Sequence, residues 1–384
     1  MDNKPKICMS TMVGNEEATI TRMLESVAPH ISYWVVQCNG SDNTKKIIAD
    51  FFLKKGIEGE LYEVEWNFPG WNRDHLLQRT LKASHGCDWI LRMDADERLQ
   101  IDNDFDWNIL KDTTVDSYNV AAHAGDTKYF RTWLWNAKLP WFFAHDKRHE
   151  TIHLPQIGEN FQRETLPFSF RHLVSQDGNT WFAPRKFLRD ALELEIDKVV
   201  GNTVLDDAYH LWYIAKSYAD CYGKPEELAF GKKHSDEYAR RSIWYYDRFL
   251  EHTKAINDNK EATREDEMCY FAFIIMGNAY FFLNEVQKGI EHMKLANQFS
   301  PARNESHLYL ALNYENLGMF DECLEEIEFM MRPGRRNVFP RLSFLIEDRA
   351  YSDSSDFLRK FKERIEGKKD IVLIDNESFT FDVG

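Results

Sequence analysis

The chain has no apolar run approaching the roughly 18 residues that a membrane-spanning helix requires. Its start, "MDNKPKICMS", also has no apolar segment of the kind that directs secretion. A soluble, cytoplasmic protein is expected. CxxC pairs are missing too: Cys8, Cys38, Cys87, Cys221, Cys269 and Cys323 are scattered, which fits reduced thiols rather than a disulfide framework or a zinc site. Basic charge is in deficit. With 48 Lys and Arg against 63 Asp and Glu, the formal net charge of -15 argues against holding a polyanion by general electrostatics. Only local basic patches such as "RRSIWYYDR" and "RPGRR" remain for that role. What the chain does have is length and apolar content. Its 384 residues, 43% hydrophobic and 14% aromatic, suffice for two ordinary domains with packed cores.

Up to about residue 175, short β-rich runs alternate with helical patterns. "KICMSTMV", "YWVVQC", "ELYEVEW" and "DWILRMD" read as strands, with "EEATITRMLESV", "NTKKIIADFFLKKG" and "RDHLLQRTLKAS" as the helices between them. That alternation predicts a mostly parallel α/β sheet. "SYNVAAH" and "KYFRTWLWN" read as two further strands in an antiparallel addition, followed by the aromatic loop "LPWFFAHDKRHE". The polar stretch "SQDGNTWFAPRK" marks a boundary, beyond which the pattern is helical only. The expected division is an α/β domain over 1–180, a helical domain over 185–365 and a tail over 366–384.

The helical part repeats itself. A shift of 34 residues lays "MGNAYFFLNEVQKGIEHMKLA" on "LALNYENLGMFDECLEEIEFM", with Tyr280 on Tyr314, Leu283 on Leu317, Val286 on Phe320 and Ile290 on Leu324. Thirty-four residues is the tetratricopeptide period, and Gly277, Ala296 and Pro301 fall where such repeats favour small residues and a helix-ending proline. A degenerate earlier unit starts at "HLWYIAKSYADCYG". These apolar residues read as interhelix core.

Chemistry-bearing residues concentrate in the first half. In an open parallel sheet, ligands collect beyond the carboxyl ends of the strands. Three segments are expected there: "TMVGNEE", "QCNGSDNT" and "DADE". Gly14 and Gly40 allow close backbone approach, while Asn15, Asn39, Ser41 and Thr44 offer hydrogen bonds to a base or ribose. "DADE" is the most pointed of the three. Carboxylates two residues apart at a strand end can address one hard cation, Mg²⁺ or Mn²⁺, whose shell substrate phosphates complete. Alternatively, Arg92 and Arg98 neutralise an acidic turn.

Taken in order, "STMVGNEEATITRMLESV", "WVVQCNGSDNTKKIIADF" and "GCDWILRMDADERL" resemble the family 2 glycosyltransferases of the GT-A fold. "WNFPGWNRDHLLQRTLKASHG" looks like the segment that precedes the acidic strand in that family. The loop ending in His149-Glu150 is similar to an element of members that carry tetratricopeptide repeats. The resemblance spans roughly residues 5 to 335. It implies a nucleotide-sugar donor bound by Thr11, Val13, Asn15, Glu16, Gln37 and Asn39, together with Asp42, Arg73, Asp94, Ala95 and Asp96. Within that set, Asp94 would lie near ribose and sugar, and Asp96 would bind the metal. His149 would add a metal or diphosphate contact, with His172 as its alternative. The chain departs from the family at Gln37, where a uracil-binding carboxylate is expected, so a UDP-sugar is favoured rather than fixed.

Inversion, which the resemblance favours, needs a base on the acceptor side. Glu150 and Asp146 are the candidates, with Glu97 behind them. Arg148, Arg185 and Lys186 are further candidates for the diphosphate, and Trp133, Trp135 and Trp141 for a wall on which a sugar stacks. The acceptor is left open between a protein, a glycan and a modified nucleic-acid base, with the helical repeats binding it or mediating oligomerisation. A contrasting expectation is a repeat-based scaffold with an inactive transferase-like domain. A nucleotidyltransferase is disfavoured, because "STMVGNEEAT" carries one glycine and no basic residue.

Overall fold

A computed structural model of the chain describes residues 4–84, 86–124, 127–143, 152–155, 161–175, 185–200, 207–224, 229, 231–257, 264–299, 301, 303–332 and 354–377. It divides into two compact units, Met1–Asp206 and Asp207–Gly384. Among the described residues no helix is long and apolar enough to cross a membrane.

The first unit alternates strand and helix as its sequence pattern predicts: β1 (Ile7–Val13), α1 (Ile20–Val27), β2 (Tyr33–Cys38), α2 (Thr44–Lys55), β3 (Gly59–Tyr62), α3 (Pro69–Ala83) and β4 (Trp89–Met93). β1 pairs in parallel with β2 on one side and β4 on the other, and β2 pairs in parallel with β3. Strands buried on both faces carry near-continuous apolar runs, which is why "ICMSTMV" and "YWVVQC" are so uniformly buried. α1 covers them with Ile20, Met23, Leu24 and Val27, a stripe at helical spacing that is wholly buried. Pro69 sits in the first turn of α3, where its missing N–H costs nothing.

Beyond β4 come β5 (Glu97–Ile101), β6 (Ser117–Ala124), β7 (Thr127–Asn136), β8 (Phe142–Phe143), β9 (Ile152–His153), β10 (Arg163–Thr165) and β11 (Phe170–Val174). β6 and β7 pair with each other antiparallel, and β7 runs antiparallel to β4. The sheet order is β3-β2-β1-β4-β7-β6-β11-β5, with β10 also on β6. β4 and β5 are joined through only Asp94, Ala95 and Asp96, although four strand pairings separate them along that order. The sheet therefore curls, bringing its far edge back to the end of β4. At the bulge where Leu134 faces Tyr118 and Thr132 faces Asn119, Trp133 is the extra residue.

Two differences from expectation bear on the site. The third strand stops at Tyr62, because the Val64 carbonyl accepts a hydrogen bond from the Asn39 side chain instead of a ladder partner. α1 starts at Ile20, later than its sequence pattern suggests, since Glu16 and Glu17 are spent on the loop before it. In addition, Trp133, Trp135 and Trp141 are 7%, 1% and 1% exposed, so they pack in the core and form no sugar-stacking wall.

α4 (Lys186–Val200) is the last helix of the first unit. The described residues of the second unit form α5 (Asp207–Ala219), α6 (Lys232–Asn257), α7 (Arg264–Phe282), α8 (Val286–Phe299), α9 (Glu305–Leu317), α10 (Phe320–Met330) and α11 (Ser354–Glu377). α5 packs on α6, α7 on α8 and α9 on α10. The starts of α8 and α10 keep the 34-residue period seen in the sequence. Gly277 explains one part of that period: a Cβ there would meet Met293 at 3.0 Å and the Gly289 carbonyl oxygen at 3.2 Å, so the α7–α8 approach calls for glycine. α11 continues past residue 366 to Glu377, held by the buried stripe Leu358, Phe361 and Ile365.

Candidate functional site

The crossovers from β1 lead to β2 on one side and, after β3, to β4 on the other. The strand order thus reverses between β1 and β4, the place where open α/β sheets bind ligands beyond the carboxyl ends of their strands. The Thr11 hydroxyl donates to the Met93 carbonyl at 2.7 Å and ties the two strands together where they diverge. Val13 and Met93 then lead into the loops beyond those strand ends.

The loops after β1 and β2 are bound to each other. Asn15 Oδ1 accepts from the Ser41 and Asp42 amides at 2.6 and 3.2 Å. Asp42 accepts from the Thr44 amide at 2.9 Å and the Glu17 amide at 3.1 Å. The Glu16 amide donates to Thr44 Oγ1 at 2.8 Å. Burial alone would raise the Asp42 carboxyl, but these hydrogen bonds outweigh it and hold the group below its ordinary range. A Cβ at Gly40 would lie 2.4 Å from the Gly14 carbonyl oxygen, so the close approach it permits is between the two loops. Asn15, Glu16, Asn39 and Asp42 are thus brought together at the rim, with part of their polar capacity spent on the loops.

Gln37 requires a correction. Its side chain is fully buried, and its amide nitrogen donates to Asn39 Oδ1 and Asn72 Oδ1, both at 3.0 Å. Tyr62 OH donates to Gln37 Oε1 at 3.3 Å. An amide with both ends engaged beneath the loop presents nothing to a pyrimidine edge. Thr11 is likewise buried, and its hydroxyl is engaged with Met93.

At the end of β4 the three carboxylates separate. Asp94 Oδ1 lies 3.7 Å from Arg92 Nη2 and 3.8 Å from Arg73 Nη1. Burial would raise the Asp94 carboxyl; Arg92, then Arg73, Arg131 and His172, overcome that and hold it below its ordinary value. Glu97, 1% exposed, receives a hydrogen bond from Arg131 Nη1 at 2.5 Å on Oε1, and its Oε2 lies 3.0 Å from His172 Nδ1. His172 is therefore a buried partner of Glu97. Asp96 differs from both. Among the described residues no basic side chain pairs with its carboxylate; Arg22 Nη2 donates to its backbone carbonyl at 3.2 Å. Burial, then the charges of Asp94, Glu97 and Glu16, push its carboxyl up to about 6. Ala95 between them is buried, which keeps the turn short.

No group of three or more His, Cys, Asp or Glu side chains gathers into a metal cage among the described residues. Mg²⁺ or Mn²⁺, bound through one or two carboxylates with phosphates and water completing the shell, fits Asp96 without such a cage. Asp146, Arg148, His149 and Glu150 lie outside the described residues. Sequence reasoning did not single out Arg131. Its signal was a charge two positions from Trp133 in an aromatic strand, and its guanidinium stacks on that ring at 4.2 Å.

No family model matches the chain, and no curated protein matches it. Solved structures similar to it include MamA, at 18% identity and TM-score 0.27, covering 48% of this chain and 91% of that one. Another is the mannosyltransferase PcManGT from Pyrobaculum calidifontis in complex with GDP-Man and Mn²⁺, at 12% identity and TM-score 0.35, covering 76% and 85%. GalNAc-T7 with UDP, GalNAc and Mn²⁺ matches at 13% identity and TM-score 0.29, covering 62% and 55%. At such TM-scores these likenesses do not bear on the chemistry of this chain.

Proposed function

We propose that the chain transfers a glycosyl group from a nucleoside-diphosphate sugar, with a UDP-sugar the favoured donor, in a reaction that depends on Mn²⁺ or Mg²⁺ at Asp96. One observation carries this reading: of three carboxylates at the strand-order reversal, two are matched to internal cations and Asp96, among the described residues, is not. Bound there, the cation would stabilise the charge that develops on the leaving diphosphate. Arg73 can add a guanidinium to the same diphosphate, and Asp94, oriented by Arg73 and Arg92, can accept hydrogen bonds from ribose or sugar hydroxyls. Asn15, Glu16, Asn39 and Asp42 form the rim for the nucleoside, while the buried side chains of Gln37 and Thr11 support it from below.

The sequence resemblance supplies the remaining roles. His149 is the second contact to metal or diphosphate, and Glu150 or Asp146 deprotonates the acceptor hydroxyl for an inverting transfer. The repeat unit binds the acceptor, which is a protein, a glycan or a modified nucleic-acid base. Hydrolysis of UDP-sugars with added Mn²⁺ tests the reading, with other nucleotide sugars in parallel. Turnover that disappears in Asp96→Ala supports it. If no nucleotide sugar is turned over, and UDP with Mn²⁺ leaves the melting temperature unchanged, the reading is wrong.

A further inference from the structure

Asp96 is placed by its backbone. Among the described residues no basic side chain pairs with its carboxylate, so the direction of that carboxylate follows from the turn Asp94–Glu97 and from what fixes the turn at its ends. Before the turn, the Thr11 hydroxyl holds the Met93 carbonyl at 2.7 Å. Across it, the Glu97 amide donates to the Asp94 carbonyl at 3.1 Å, and Arg22 Nη2 donates to the Asp96 carbonyl at 3.2 Å. After it, both oxygens of the Glu97 carboxylate are engaged, Oε1 by Arg131 from β7 and Oε2 by His172 Nδ1 from β11. β11 and β5 pair antiparallel with His172 opposite Leu99 and Val174 opposite Glu97, which makes His172 and Glu97 diagonal neighbours on one face of the sheet. His172 is 1% exposed, and its ring meets Trp133 edge-on at 5.1 Å. Among the described residues its Nε2 has no hydrogen-bond partner, so the bond to Glu97 is the one polar contact of the ring there.

We propose that His172 is a positioning residue for the cation site, acting through Glu97. The inference rests on the reading of Asp96 as the cation's ligand. A carboxylate only accepts hydrogen bonds, so Nδ1 carries a proton and the ring serves Glu97 as a donor. Held by Arg131 alone, the Glu97 carboxylate could pivot about Oε1. A second donor, from a different strand, fixes its plane. Glu97 directly follows Asp96, and only Asp94, Ala95 and Asp96 join β4 to β5. With Met93 tied at one end and Glu97 at the other, the connection has little freedom in which Asp96 could turn away from a bound ion. Removing a partner behind a metal ligand costs about 10–100-fold in metal affinity, and His172, one residue further removed, belongs at the lower end of that range.

The test titrates Mn²⁺ into the full-length protein and follows the free-ion signal by electron paramagnetic resonance, comparing wild type with His172→Asn, His172→Leu and His172→Gln. Asn carries its amide nitrogen on Cγ, where Nδ1 stands, and keeps the donor. Leu removes the donor, and Gln carries its nitrogen one bond too far. All three lose the ring's edge contact with Trp133, so a merely structural histidine would make them alike. His172→Asn should bind Mn²⁺ within about threefold of wild type, while His172→Leu and His172→Gln bind it about tenfold more weakly. Should His172→Leu fail to fold, His172→Gln carries the comparison. The proposal is overturned if the variants without the donor bind Mn²⁺ as wild type does, or if His172→Asn binds it no better than they do. Either result, with a wild type that binds Mn²⁺, leaves the reading of Asp96 standing. A wild type that takes up no Mn²⁺ overturns that reading and this proposal with it.

Discussion

Replacing Asp96 by Asn should stabilise the protein at neutral pH while abolishing its response to divalent cations. The carboxyl is pushed from 3.8 to about 6 in the folded chain by burial and then by Asp94, Glu97 and Glu16. Between those two values the folded state binds a proton that the unfolded state has released, so stability falls as pH rises through that window. At about 1.36 kcal/mol per tenfold change in proton affinity, the full penalty above pH 6 is roughly 3 kcal/mol. Because the carboxylate is only half-buried, solvent screening reduces this to about 1–2 kcal/mol. For a unit of this size that corresponds to a melting temperature roughly 3–6 °C higher for Asp96→Asn at pH 7. The gap should narrow as pH is lowered toward 4, where the carboxyl is protonated in the folded state and partly protonated in the unfolded one. Scanning fluorimetry of both proteins at pH 7 and pH 4, with and without Mn²⁺, reads all of this. Mn²⁺ should raise the melting temperature of the wild type alone. The reasoning is refuted if Asp96→Asn melts at or below the wild type at pH 7, or if Mn²⁺ shifts both proteins equally.

Three other substitutions probe the supports of the site. Glu97→Gln removes the buried carboxylate to which Arg131 donates and should cost on the order of 3 kcal/mol, read as a lower denaturation midpoint. Gly40→Ala sets a Cβ 2.4 Å from the Gly14 carbonyl oxygen; forcing the two loops apart should cost roughly 1–3 kcal/mol and weaken UDP binding in calorimetry. Gln37→Glu removes the amide that donates to Asn39 and Asn72 and sets a carboxylate against their carbonyl oxygens. The expected loss is about 2–3 kcal/mol by urea denaturation, partly recovered at acid pH, where the new group can donate one hydrogen bond.

The parts of this fold that are plain in the sequence are those whose signal is local. β1, β2 and β4 are continuous apolar runs because they are buried on both faces, and α1 shows its stripe within eight residues. β5 and β11 are hidden by contrast. "ERLQI" and "FRHLV" carry charged and polar residues at inward positions, and those residues are acceptable only because of partners far along the chain. Glu97 meets Arg131 across 34 positions and His172 across 75. Gln37 was misjudged for the same reason: Asn72 and Tyr62, which saturate its amide, come from α3 and β3. Asp96 stands out in the sequence because its spacing from Asp94 is itself the signal. That, among the described residues, Asp96 and not Asp94 is left without a basic partner depends in part on Arg73, which only the packing of α3 brings near.

The curl of the sheet explains how three carboxylates can share so short a connection. Arg92 approaches Asp94 from its own strand, while Arg131 approaches Glu97 from β7. The Trp133 ring carries both guanidiniums, at 4.7 Å from Arg92 and 4.2 Å from Arg131, and attracts both. The bulge at Trp133 allows an inward indole at that point without breaking the β6–β7 pairing. Each guanidinium thus has its own carboxylate. A turn whose acidity served only solubility would not require this sorting, because exposed carboxylates are compensated by water and salt. Here Arg92 and Arg73 are spent on Asp94 and Arg131 on Glu97, a fourth nearby guanidinium, that of Arg22, contacts a carbonyl, and among the described residues the repulsion left at Asp96 is relieved by a proton near pH 6 or by a cation above it. Proton and metal should therefore compete for one carboxylate, so the apparent affinity for Mn²⁺ should weaken as pH falls below 6.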